Sequence, residues 1–176
     1  LIELNGSSAG SGVTGLTITA GNSSLRGLIV NRFRFDGVQL SGNGGNTIVN
    51  CYIGTNNSAS AASANLGVGI YVLNSGNNTI GAATFTGAGG GTFNGRNIIS
   101  GNNADGLFVE STGAPITGNV IKNNYIGTNL GGSGPVGNRN SGIVIGNNVI
   151  NTVIGGTNAV DRNVVGGNTQ DGIQLI

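Results

Sequence analysis

The 176-residue sequence predicts an all-β fold, a right-handed parallel β-helix (β-solenoid) of about five three-stranded rungs with long surface loops, residues 1–176 forming one domain. Three observations predict it. A glycine-led apolar word recurs six times, at steps of 22, 32, 37, 36 and 30 residues. The word "YIGTN" at 52–56 returns at 125–129. Finally, 36 Gly and 28 Asn in a chain only 7% charged supply the residues that adopt positive φ most readily, as a chain that turns often requires.

The six words are "TGLTI" at Gly15, "DGVQL" at Gly37, "VGIYV" at Gly69, "DGLFV" at Gly106, "SGIVI" at Gly142 and "DGIQL" at Gly172. Each alternates, so Leu16/Ile18, Val38/Leu40, Ile70/Val72, Leu107/Val109, Ile143/Ile145 and Ile173/Leu175 point inward from a half-buried strand. Two further apolar words follow within each step: "RGLIV" and "RFRF", "NTIV" and "CYIG", "NTIG" and "RNIIS", "NVIK" and "NYIG", then "NTVIG" and "RNVV". Three strands per coil, each stacking on its equivalent in the next coil, make a solenoid, and the preference for right-handed parallel connections sets its hand. The minimal step of 22 residues leaves nothing over. Longer steps carry surface loops: "NSASAASANLG" and "LGGSGPVGNRN" after the third strand, "AATFTGAGGGTFNG" and "GTNAVD" between second and third. The two placements alternate, so the repeating unit is a pair of coils.

Asn31, Asn50 and Asn123 are read as structural corner residues between second and third strands, in the left-handed conformation, with side-chain amides bonding between neighbouring rungs. Four tripeptides, starting at Asn5, Asn22, Asn56 and Asn77, fit the glycosylation pattern, as chance allows in so Asn-rich a chain.

Composition excludes several classes. Collagen needs glycine at every third position and abundant proline, and this chain has 2 Pro. The recurring aliphatic words and a net charge of +1 do not fit disorder, nor a basic stripe for nucleic acid. No apolar run reaches the roughly 18–20 residues of a membrane span, and no secretory signal peptide is recognisable. A single cysteine, Cys51, excludes an internal disulfide.

The words "NYIGTN…GN…SGIVI…NTVIGGTNAVDRNVVGGNTQDGIQL", preceded by "LIELNGSSAGSGVTGLTITAGNSSLRGLIVNRF", resemble the right-handed β-helix repeats of large secreted or surface-anchored bacterial proteins. The resemblance covers nearly the whole chain. It implies an extracellular or cell-surface setting and a bacterial source, and the expected role of the chain is structural or adhesive.

Polysaccharide lyases, hydrolases and epimerases also use parallel β-helices, so the alternative expectation is a carbohydrate-binding or polysaccharide-processing β-helix protein. The chain has no His and one Lys, and the paired-Asp, Gly-His-Gly and Arg-x-Lys words of the polygalacturonase-like enzymes are missing. Asp36, Asp105 and Asp171 precede the first-strand glycine of alternate rungs, an expected spacing of roughly 9–10 Å. Inverting glycosidases hold their carboxyl groups about 6.5–9.5 Å apart, but Asp-Gly is equally a turn signal. No catalytic residue, metal ligand or cofactor is assigned. For binding, the expected outward ladder on the first strand is Tyr71, Phe108 and Val144, an apolar stripe able to stack a sugar ring or meet a neighbouring chain. The sequence starts and stops inside its pattern, so it is expected to be a segment of a longer array or a subunit that stacks end to end. The expected partners are itself, neighbouring repeats or carbohydrate.

Overall fold

The computed structural model describes residues 1–176. Three long parallel sheets form the walls of a solenoid. The first stacks Leu16–Ile18, Val38–Ser41, Ile70–Leu73, Leu107–Glu110, Ile143–Ile145 and Ile173–Leu175. The second stacks Ser24–Arg26, Thr47–Val49, Thr79–Ile80, Val120–Ile121 and Val153–Ile154. The third stacks Ile2–Asn5, Leu28–Asn31, Tyr52–Ile53, Asn97–Ile99, Asn124–Ile126 and Val164–Val165. Every neighbouring pair within these sheets is parallel and in register with its glycine-led or apolar word.

The alternating residues fill the interior. Val38, Leu40, Ile70, Val72, Leu107, Val109 and Ile143 from the first sheet meet Ile48, Ile80 and Ile121 from the second, and Val30, Ile53, Ile99 and Ile126 from the third, in one buried cluster. Each inward side chain also stacks on its own kind in the next coil, so the apolar column is continuous along the axis. Cys51 belongs to this cluster, and burial pushes its thiol up to about 11. Because the folded value lies above the unfolded 9.0, Cys51 favours the native state below pH 9, and that contribution is lost as pH rises from about 9 to 11. At pH 8 Cys51 is therefore expected to resist a thiol reagent in the native chain and to react at once in urea. Rapid labelling without denaturant would contradict this placement.

Two sequence expectations need correction. In the first coil the second and third strands are Ser24–Arg26 and Leu28–Asn31, so "RGLIV" straddles a corner and "RFRF" lies beyond the third strand. The cause is a corner of one residue: Gly27, at φ 72°, turns the chain without a loop, and two strands read as one apolar run. Phe33 then plugs the next corner, 6% exposed. The second correction concerns "AATFTGAGGGTFNG", expected as a surface loop. It forms an antiparallel hairpin, Ala82–Thr86 with Thr92–Gly95, closed by the glycine run and by Phe85 stacked on Phe93 at 5.6 Å. Thr and Phe in alternation are strand formers, and length alone disguised them.

The repeated "YIGTN" has one geometry in both copies. Tyr52 and Tyr125 point outward, Ile53 and Ile126 into the core, and Gly54 and Gly127 take φ 92° and 82°. Thr55 and Thr128 then bridge Ala62 and Pro135, closing each long loop at its base. Asn56 Oδ1 accepts from the Ser60 and Ala61 amides, and Asn129 Oδ1 from those of Gly131, Ser133 and Gly134. The two loops touch across the intervening coil, Leu130 N donating to Ala59 O at 3.1 Å.

Candidate functional site

Asparagine at or shortly before the start of a strand does most of the polar work in this solenoid. An amide accepts through one oxygen and donates twice, so it can bond the coil on each side and still satisfy a carbonyl. Asn65, Asn102, Asn138 and Asn168 each stand four residues before a first-strand glycine and are linked Nδ2 to Oδ1 at 3.0, 2.9 and 2.9 Å. Their second Nδ2 protons go to the carbonyls of Val30, Ile53, Ile99 and Ile126. Before the second strand, Asn46, Asn78 and Asn119 are linked at 3.0 and 3.0 Å. At the start of the third, Asn97 and Asn124, the first residues of their strands, and Asn163, just ahead of Val164, are linked at 2.9 and 3.1 Å. One ladder runs down each corner of the coil, and the members inside the stack are buried.

These are not the corner residues singled out from the sequence. Asn50 and Asn123 do stand between second and third strands, at φ 53° and 52°. Their amides do not bond one another, because Arg96 occupies the column between them: Asn123 donates to Ala82 O at 2.6 Å and to Asn94 Oδ1 at 3.2 Å. Asn31 lies elsewhere, at the far end of the third strand, and the left-handed residue there is Arg32 at φ 60°. Its buried Nδ2 donates to Glu3 Oε1 at 2.8 Å and to Thr55 O at 3.0 Å.

On the outer face of the first sheet, Gln39, Tyr71, Phe108, Val144 and Gln174 stand in register. Tyr71 and Phe108 are half-buried with ring centroids 5.6 Å apart. The Tyr71 hydroxyl donates to Glu110 Oε1. Burial, then this bond to a carboxylate, raise the phenol well above its ordinary value. Val144 departs from the expected ladder: although it faces outward, it is only 4% exposed, a small side chain in register between Phe108 and Gln174. The accessible apolar ladder is therefore Tyr71 and Phe108, with Glu110 as its polar handle.

The aspartates hold backbone. Asp36 Oδ1 accepts from Val68 N at 2.8 Å and Asp105 Oδ1 from Ser141 N at 2.9 Å, each in the following coil. Asp36 is 3% exposed, and its Oδ2 has no partner. Burial raises its pKa, so the native state holds the proton more tightly, and stability falls as pH rises through the folded value. Asp36→Asn keeps the acceptor and removes the buried charge. Its urea midpoint at pH 7 is expected to equal or exceed that of the parent, with the gain shrinking toward pH 4. A loss at pH 7 that persists at pH 4 would contradict this.

No helix is long and apolar enough to cross a membrane. No family model, curated protein or solved structure matches this chain.

Proposed function

We propose that this chain is an extracellular structural or adhesive β-solenoid module, a stiff repeated body found in bacterial surface proteins. The observation that carries the reading is the use made of the polar residues. Ten asparagines are committed to inter-coil ladders, and two aspartates hold the backbone of the next coil. Chemistry that could serve catalysis is spent on stacking, as a load-carrying or spacing element requires. An antibody raised against the chain should label intact cells of its source, and electron microscopy should find it within filaments or a surface layer. Labelling only after permeabilisation would overturn the extracellular reading. Discrete particles at every concentration would overturn self-assembly through stacked or neighbouring repeats.

A second reading, carbohydrate binding on the first sheet, is favoured by the half-buried Tyr71–Phe108 pair beside Glu110. A pair of rings spaced by one coil suits stacking against a sugar face. On a glycan array, Tyr71→Ser with Phe108→Ser should abolish any signal the parent gives. An unchanged signal would remove this face from consideration.

A further inference from the structure

A second outer face, on the third sheet, holds a pocket that neither reading uses. Ile29, Tyr52, Ile98, Tyr125 and Val164 stand in register there, and two residues earlier in the chain come Asn50, Arg96 and Asn123. Between Tyr52 and Arg96 opens a cavity of about 170 Å³, lined also by Asn50, Asn94, Ile98 and Leu130. Ile98 is fully buried and forms the floor, while Leu130, 50% exposed, stands at the lip on the second long loop.

Arg96 is the unusual member. Its guanidinium lies 4.0 Å from the centre of the Tyr125 ring, and Nε donates to Asn123 Oδ1 at 3.0 Å. Those two contacts fix the plane of the group. No carboxylate answers its charge: the ion pairs of the chain are Arg32–Glu3 and Lys122–Asp161. No acidic residue lines the cavity. A half-buried guanidinium, oriented by its neighbours and lacking an acid, is prepared for an external carboxylate, which it can meet with two parallel hydrogen bonds. The rest of the lining narrows the choice. Tyr52 offers apolar surface, the Asn50 amide offers a donor and an acceptor, and Asn94, whose Oδ1 already accepts from Arg96 N and Asn123 Nδ2, offers its Nδ2 to a hydroxyl. The cavity is below the roughly 300–1,000 Å³ of pockets for drug-sized ligands, so the occupant is one small ring.

We infer that this pocket binds a single carboxylate-bearing sugar unit, with the carboxylate on Arg96, the ring against Tyr52 and hydroxyls on Asn50 and Asn94. The inference is independent of the scaffold reading, since a structural module and a non-structural one could equally carry such a pocket.

The test is titration of the isotope-labelled full chain, followed by NMR, with D-glucuronate, its methyl ester, D-glucose and sodium acetate. D-glucuronate should shift the Arg96 Nε–H and the side-chain amides of Asn50 and Asn94 saturably, at least tenfold more tightly than the ester or glucose. Arg96→Gln, with its amide dispersion retained, should lose that selectivity, and Arg139→Gln, which removes an exposed guanidinium outside the cavity, should keep it. A hyaluronan oligosaccharide run alongside distinguishes a unit within a polymer, bound more tightly, from the free acid. Equal binding of acid and ester overturns the role of Arg96 without requiring any variant. Acetate matching glucuronate overturns the sugar, and shifts confined to other residues overturn the site.

Discussion

Asn102→Ala is expected to lower the unfolding free energy by about 3–5 kcal/mol, read as a fall in the urea midpoint. Asn102 is 1% exposed and sits inside the longest ladder. Its Oδ1 accepts from Asn65 Nδ2 at 3.0 Å, and its Nδ2 donates to Asn138 Oδ1 at 2.9 Å and to Ile53 O at 3.2 Å. Alanine leaves the Asn65 donor without a partner, costing roughly 1–3 kcal/mol when water cannot enter, and removes the bonds to Asn138 Oδ1 and Ile53 O, which keep the Asn102 and Ser100 backbone amides and so lose about 0.5–1.5 kcal/mol each. Asn102→Asp should be worse than alanine at neutral pH. It keeps the acceptor but turns an anion toward Asn138 Oδ1, and burial would raise its pKa, so the defect should ease as pH falls. The neighbouring Asn103 is exposed, and Asn103→Ala should change stability by no more than about 0.5 kcal/mol. Equal effects at 102 and 103 would mean that the ladder does not hold the coils together.

Gly106→Ala is the second large effect, roughly 3 kcal/mol or more, above the usual range for one added methyl group. That methyl would lie 2.7 Å from Gly142 O, 2.7 Å from Asn138 Nδ2 and 2.8 Å from Ile126 Cγ2. The first obstacle is backbone, already bonded to Leu107 N at 2.9 Å, and the second is locked in the ladder. Neither can move without breaking bonds to the next coil. Gly37, Gly69, Gly106 and Gly142 are thus kept for close approach of the Asn ladder, each added methyl standing 2.7 Å from a ladder Nδ2. Gly113→Ala is the control: its added methyl meets nothing within 4 Å, so it should be neutral or stabilising by about 0.4–1 kcal/mol. Loss of secondary structure in the Gly113 variant, or none in the Gly106 variant, would count against the argument.

Every strand of the first sheet was legible in sequence because each is announced by its glycine and alternates with period two, although Ile173 and Leu175 of the last strand are 47% and 72% exposed. The pairing of "YIGTN" with "RNIIS" and "RNVV" was legible too, and Tyr52↔Ile98 and Tyr125↔Val164 realise it. The Asn ladders were missed although they left a regular trace, an asparagine four residues before Gly69, Gly106, Gly142 and Gly172. With 28 Asn in the chain, turn formation accounted for any of them, and only side-chain geometry separates a turn residue from a ladder member. Asn31 stands at the far end of the third strand because Gly27 alone turns the chain, a corner too short to interrupt the apolar run in the sequence. Val144 was expected in the open because alternation gives the direction of a side chain and not what stands beside it. Arg96 carried no signal, since its worth lies in the acid it lacks.

The contact between the two long loops gives the molecule two axial rhythms. Inside, every coil is equivalent and the spacing is that of adjacent strands, about 4.8 Å. Outside, equivalent features recur only at every second coil, because the loop at Ala59 reaches over one coil to meet the loop at Leu130. The exterior is a superlattice on the core, with a period near 9.6 Å. Oriented fibres of such a chain would diffract at both spacings. Anything that reads the outer surface meets half as many identical stations as there are coils.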